Sequence, residues 1–293
     1  MRLSFAECTA RERVAVLLDI DSFEEWLPPS ARVMSPHLAQ LGVPSAFDDG
    51  VVIGQGRLDS NIVFIAAQEG EFMGGGVGEV HGAKLVGLLL RALRDRPAAV
   101  LLIAESGGVR LHEANAGLSA VSEVMRTVLD VRASGIPVIV LIGGANGCFG
   151  GMGIVARCAD WIVMSDNARL AMSGPEVIEA SHGVEEFDSK DRALVWRTTG
   201  GKHRFLIGDC DVLIDDDVQA FRAAAIEGLS RKSPLTLDSL EFEHALLTAR
   251  LRDAPAGSDA YALWRKLGIE DSTRVPDLDA AAIRDLRNSA VSR

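Results

Sequence analysis

Gly143-Gly144-Ala145-Asn146-Gly147-Cys148-Phe149-Gly150-Gly151-Met152-Gly153 leaves an apolar run at residues 137–142. A second cluster, Glu105-Ser106-Gly107-Gly108-Val109-Arg110, leaves the apolar run at 98–104, and a third, Gly74-Gly75-Gly76-Val77-Gly78, follows the apolar run at 61–67. A short apolar run that ends in glycine and leads into a helical pattern reads as strand, loop and helix. Three such units in series predict an α/β fold with mainly parallel strands, whose continuous apolar runs fit a sheet buried on both faces.

Working outward, residues 5–26 read as a short amphipathic helix and a loop, broken by Pro28-Pro29. Residues 51–56 and 61–67 form a hairpin pattern around polar 57–60. Helices are expected at 79–94 and 118–133, the second ended by Gly135 and Pro137. Strands are expected at 98–104, 138–142 and 160–165, with a further short one at 169–172. A short helix follows at 150–158, and Gly174-Pro175 opens another through 181. Residues 183–210 are charged and glycine-broken and read as surface-bound. Asp215, Asp216 and Asp217 lead a helix over 217–229. Helical pieces follow at 240–251 and 260–267, and the polar tail beyond 271 reads as loosely held.

Composition narrows the function classes. The 293 residues are 48% hydrophobic with net charge −11, enough apolar material for a large core and unfavourable to nucleic-acid binding. No run approaches the ~18 apolar residues of a membrane span, and the charged Glu7, Arg11, Glu12 and Arg13 do not suit a signal peptide, so a cytoplasmic protein is expected. Cys8, Cys148, Cys158 and Cys210 form no C-x-x-C pair, so free thiols and no metal site are expected.

The glycine loops fail the nucleotide motifs. Around residues 74–82 the G-x-G-x-x-G spacing breaks at Glu79, and Gly82-Ala83-Lys84-Leu85 lacks the P-loop's adjacent lysine and hydroxyl. No G-x-S-x-G elbow surrounds Ser106, Ser173 or Ser181, and Ala116 breaks an H-E-x-x-H pattern begun at His112-Glu113. Two readings of the glycines remain: tight turns that pack helices on strands, or permissive backbone at the carboxyl ends of parallel strands, where ligands bind in such folds.

Four segments, in order, carry a family resemblance. The stretch 145–153 resembles the crotonase pattern of paired glycines at a helix start. Phe72-Met73-Gly74-Gly75-Gly76-Val77-Gly78, Ser106-Gly107-Gly108-Val109-Arg110 and Gly174-Pro175-Glu176-Val177-Ile178-Glu179 resemble F-M-G-G-S-M-G, S-G-G-A-R and G-P-R-V-I-E of the acetyl-CoA carboxylase carboxyltransferase β subunit. The N-terminus cannot build that subunit's four-cysteine zinc ribbon. Residues 183–192 and Trp196-Arg197-Thr198-Thr199-Gly200-Gly201-Lys202-His203-Arg204 instead resemble the β-subunit family of malonate decarboxylase, as does Ile20-Asp21-Ser22-Phe23.

The resemblance implies a crotonase-like (ClpP/crotonase) fold, a spiral of ββα units with a mainly parallel sheet. It would occupy residues 1–230, with a helical extension over 231–293. The activity implied is decarboxylation of malonyl-S-acyl carrier protein to acetyl-S-acyl carrier protein and CO₂ through a thioester enolate held in an oxyanion hole. Partners implied are a γ subunit and the acyl carrier protein, whose CoA-like prosthetic group carries the malonyl and acetyl thioesters; no cofactor is bound directly. Main-chain donors are expected from Gly107, Gly108 and Val109 and from Gly150 and Gly151, in one oxyanion hole or with one cluster only shaping the pocket. Arg110, Ser106, Gly74, Gly75 and Gly76 are candidate substrate contacts. His182 and His203 are candidate proton donors, and Lys84 and Lys202 candidate phosphate contacts. The alternatives are a carboxyltransferase β subunit moving CO₂ between biotin and an acyl-CoA, and a non-catalytic assembly subunit.

Overall fold

The computed structural model describes residues 3–254 and 258–291. Its frame is a seven-stranded sheet in chain order: β1 (Glu24–Trp26), β2 (Val51–Leu58), β3 (Asn61–Gln68), β4 (Ala99–Ile103), β5 (Val138–Ile142), β6 (Trp161–Ser165) and β7 (Val212–Ile214). The pairs β1–β2 and β2–β3 are antiparallel; the remaining four are parallel. Asp59 and Ser60, both at positive φ, close the β2–β3 hairpin in two residues, which matches the strands' right-handed twist. This mixed sheet agrees with the α/β, mainly parallel architecture expected from the glycine-terminated runs.

Helices cover both faces. On one side lie α1 (Ala10–Leu17) and α9 (Val218–Gly228), packed on Leu101, Ile103, Ile139, Leu141 and Val163. The other face carries α3 (Glu79–Asp95), α4 (Asn115–Ala133) and α5 (Gly150–Arg157), packed on Val100, Leu102, Val138, Val140 and Ile162. Successive strand residues point to opposite faces, so each apolar run serves both cores. A short α2 (Pro36–Gln40) precedes β2, and α6 (Pro175–His182) starts on the Gly174-Pro175 signal.

The loops leaving β3, β4, β5 and β6 stack into a second, minimal ladder. Parallel bridges join Val77 to Val109, Ser106 to Cys148, and Cys148 to Leu170; an antiparallel one joins Arg169 to Gly200. Residues 169–172 therefore form no strand of the sheet, contrary to expectation. They lie one layer out, with the Ala171 carbonyl filling the space where a Gly153 side chain would stand.

Two other expectations are corrected. Residues 183–210 are not simply surface-bound: α7 (Arg192–Thr199) and α8 (Gly201–Leu206) bury Val195, Thr199, Phe205 and Leu206. The described tail beyond 271 is packed, with Val275, Ala280 and Ile283 in the core and α12 (Ala280–Val291), which follows α10 (Leu237–Asp253) and α11 (Ala260–Lys266), lying against β7. Its few apolar residues fall on one face, which low overall hydropathy conceals. The three-residue β1 and β7, set among charged residues, carried no strand signal.

Candidate active site

The ladder zips the three glycine loops together. Gly107 N–H donates to the Gly74 carbonyl at 2.7 Å, Ser106 N–H to Gly147 at 2.8 Å, and Phe149 N–H to Ser106 at 2.7 Å. Gly108 and Gly150 then meet back to back. Both have positive φ, and a Cβ built on Gly150 would stand 2.8 Å from the Gly108 Cα. Only glycine satisfies both demands. The clusters at 107–109 and 150–151 thus share one surface.

Accounting for the backbone donors separates the candidates. Gly107 N–H is taken by Gly74, Gly108 N–H by the Ser106 hydroxyl at 3.1 Å, and Gly150 N–H by the Met172 carbonyl at 2.9 Å. Val109 N–H and Gly151 N–H have no acceptor among the described residues. Gly151 lies in the first turn of α5, where N–H groups lack helical partners and the helix dipole favours negative charge. Val109, Gly150 and Gly151 are half-buried and Gly107 is exposed, so the surface is open to a ligand. Exposed Leu111 and Met172 flank it in sequence and by hydrogen bond.

The side chains expected here are engaged inward. Arg110 is buried, with its guanidinium on the carboxylates of Asp49 at 3.0 Å and Glu113 at 2.8 Å. Those bonds fix the end of the 105–110 loop. Ser106 is fully buried; besides accepting from Gly108 N–H it donates to the Gly108 carbonyl at 3.2 Å. Gly75 lies against the Glu105 carbonyl and Gly76 against Arg110, while Gly74 is exposed and supplies its carbonyl to Gly107.

A buried hydrogen-bonded chain, which sequence reasoning missed, runs beneath the loops. His81 Nδ1–H donates to the Asp49 carbonyl at 3.1 Å, and its Nε2 accepts from the Gln68 amide at 3.1 Å. Gln68 Oε1 accepts the Glu105 N–H at 3.2 Å. Each bond is made only by this tautomer of a neutral imidazole. Burial, helped by Arg110, pushes His81 down to about 3 and keeps it neutral. The Glu105 carboxylate accepts from Asn146 N–H at 3.0 Å and from Arg13 of α1. One signal pointed there: Arg13 occupies an inward position between Ala10, Val14 and Leu17 on the helix's apolar face.

The remaining candidates lie elsewhere. Lys84 is buried and donates to the carbonyls of Asp48 and Val51; Lys202 donates to that of Pro276. His203 is buried beside Trp264 and pushed down to about 3, chiefly by burial, and exposed His182 closes the last turn of α6. The Cys148 thiol is fully buried, which pushes it up to about 12. Among the described residues no group of three His, Cys, Asp or Glu is arranged to hold a metal, and no helix is long and apolar enough to cross a membrane.

Comparison with known proteins places the chain in a family. The carboxyl transferase domain family matches residues 4–225. Malonyl-S-ACP:biotin-protein carboxyltransferase MADC of Malonomonas rubra is 47% identical over 233 residues, covering 75% of this chain and 73% of that protein. A propionyl-CoA carboxylase beta chain from Saccharopolyspora erythraea is 34% identical over 206 residues; the match takes in 69% of this chain and 36% of that one. The chain thus spans about a third of that longer relative. Among solved structures, a chain of the Pseudomonas malonate decarboxylase hetero-tetramer in complex with malonate superposes with a TM-score of 0.83 at 38% identity, covering 90% of this chain and 97% of that one. A chain of the Pseudomonas malonate decarboxylase MdcD-MdcE hetero-dimer gives 0.68 at 34% identity, covering 85% and 97%.

Proposed function

The chain belongs to the carboxyl transferase domain family, and from that premise we propose that it is the malonate decarboxylase subunit that handles malonyl-S-acyl carrier protein, releasing CO₂ and leaving acetyl-S-acyl carrier protein. The observation that carries this reading is the pair of unengaged donors, Val109 N–H and Gly151 N–H, on loops whose glycines abut.

The chemistry follows from charge. Cleavage of the carboxylate from a malonyl thioester leaves an electron pair that delocalises onto the thioester oxygen as an enolate. Two preorganised N–H groups facing that oxygen stabilise it most where its charge is greatest, in the transition state. Loss of one such donor typically costs about 10²–10³ in rate. Protonation of the enolate carbon then gives the acetyl thioester. Val109 and Gly151 are the donors in this scheme. Gly107, Gly108 and Gly150 hold the two loops in contact; Ser106, Arg110, Gly75 and Gly76 buttress them from behind. Gly74 stays at the open edge, where the thioester arm enters.

Further assignments rest on the same reading. The thioester is carried on the CoA-like prosthetic group of the acyl carrier protein, and a γ subunit closes over the exposed rim at Gly107, Leu111 and Met172. The solved relatives, which are hetero-oligomeric, support that arrangement. Residues 1–230 form the catalytic unit and 231–293 a helical extension, in the cytoplasm.

A second reading is favoured by the name of the Malonomonas relative: the malonyl thioester gives up its carboxyl group to a biotin-bearing protein instead of to solution as CO₂, leaving the same enolate to be protonated. One experiment separates the two. The chain, assembled with its partner, is given malonyl-S-carrier with and without a biotinylated acceptor, with no ATP present. Release of CO₂ without biotin supports decarboxylation. Turnover only with the biotinylated acceptor establishes the transfer reading, and no turnover in either arm by a correctly assembled complex rejects both.

A further inference from the structure

The carboxylate of Glu105 stands at the junction of all three glycine loops. A Cβ on Gly70 would fall 2.4 Å from its Cδ, and one on Gly144 at 2.2 Å, so both positions admit the carboxylate only because they have no side chain. The side chain is 6% exposed and its partner Arg13 is 2% exposed. Its Oε1 accepts from Asn146 N–H, and the Asn146 amide in turn donates to the Gly70 carbonyl at 2.8 Å. Its own N–H is fixed by Gln68. A paired, buried charge with several hydrogen bonds has one low-energy placement, and losing one partner leaves the other uncompensated.

We propose that Glu105 is a positioning residue: clamped by Arg13, its carboxylate ties the Asn146 loop to the Gly107–Val109 loop and so sets the separation of the Val109 and Gly151 donors. This inference rests on the thioester reading above. Glu105 does not touch the substrate. It opens the loop that runs to Val109 and, through Asn146 N–H, grips the loop that runs to Gly151, and these two loops meet at the Gly108–Gly150 contact. An error at Glu105 reaches the donors as a change of spacing, which the developing oxyanion feels more strongly than the bound ground state does.

The test uses the chain assembled with its partner subunit and two variants. Glu105→Leu removes both bonds; Glu105→Gln keeps one acceptor for Asn146. Turnover of malonyl-S-carrier is measured, along with affinity for acetyl-S-pantetheine and for S-ethyl-pantetheine, a thioether without the carbonyl oxygen. For Glu105→Leu the expected result is a kcat lower by about 10²-fold with KM within about twofold. Its preference for the thioester over the thioether should shrink, within about the same twofold as KM, while thioether affinity holds. Glu105→Gln should recover at least about tenfold of the lost kcat. A folded, assembled Glu105→Leu with unchanged kcat and preference overturns the proposal, as does equal weakening of both ligands. If Glu105→Leu does not fold, Glu105→Gln decides: unchanged kcat and preference overturn it, and a fall in both at constant thioether affinity supports it. A wild-type complex that neither turns over nor prefers the thioester marks failure of the thioester reading itself, and the proposal falls with it.

Discussion

Replacing Gly150 by alanine perturbs the site by an amount the structure lets one work out. At φ +59° the residue is left-handed, which costs an L-residue roughly 1–2 kcal/mol. The new Cβ would stand 2.8 Å from the Gly108 Cα. To reach an ordinary carbon–carbon contact of roughly 3.5–4.0 Å, the two loops must part by about 1 Å. Backbone opposes backbone here, so no side-chain rotation relieves the clash, and overpacking adds roughly 1–3 kcal/mol. A shift of about 1 Å in a catalytic group costs about 10² in rate. Gly150→Ala should therefore lose roughly 2–5 kcal/mol of stability and about 10²-fold in kcat. CO₂ release from malonyl-S-carrier by the assembled complex measures the second, urea unfolding the first. Gly87→Ala on α3 is the control: φ is ordinary there and nothing beyond the helix's own neighbouring backbone lies within 4 Å of the new methyl, so stability should rise by roughly 0.5–1 kcal/mol and turnover stay unchanged. A folded, assembled Gly150→Ala complex with kcat within about threefold of wild type would refute the claim that contact between the two loops sets the donor geometry.

Arg110→Met leaves the Asp49 and Glu113 carboxylates buried without their cation and should cost about 3–5 kcal/mol, read as a lower urea midpoint; a loss below about 1 kcal/mol contradicts the buttressing role. Acidification should destabilise the fold through its buried histidines. His81 and His203 are pushed down to about 3, while the unfolded chain takes up their protons near 6.5. Their stabilisation is complete above pH ~6.5 and is lost toward pH 3, at up to about 1.4 kcal/mol per pH unit for each. A urea midpoint that is unchanged or higher at pH 5.5 than at pH 7 speaks against it. Iodoacetamide should modify the half-buried Cys8 and Cys158 but spare Cys148, whose thiol is buried and pushed up to about 12; a labelled Cys148 peptide from native protein would show that the loop opens.

Much of this was legible along the chain because the signals are local. An apolar run ending in glycine identifies a strand and its loop without reference to anything distant, and β4, β5, α3 and α5 lie within a residue or two of their expected positions. The hairpin around polar 57–60, whose strands the structure extends to leave only Asp59-Ser60 as the turn, and the Gly-Pro helix start are likewise local. The short edge strands, the packed tail and the α7–α8 pair were not legible, because burial of a few apolar side chains in charged surroundings depends on what folds onto them. The resemblance of four segments also pointed to the family, in which the comparisons place the chain.

The sequence by itself determined that permissive backbone leaves successive parallel strands, and hence where a ligand could lie. Which N–H groups are unengaged was decided only by the tertiary structure. Gly107, Gly108 and Gly150 find acceptors 22 or more residues away or in the Ser106 side chain, whereas Val109 and Gly151 find none among the described residues. Arg110 and Arg13 look alike as charges in a sequence, yet each is buried against carboxylates brought from 61 and 92 positions away. Periodicity and glycine content report the conformation of the chain near a residue. The satisfaction of a buried donor or charge is a long-range property, set when loops from four strands meet at one end of the sheet.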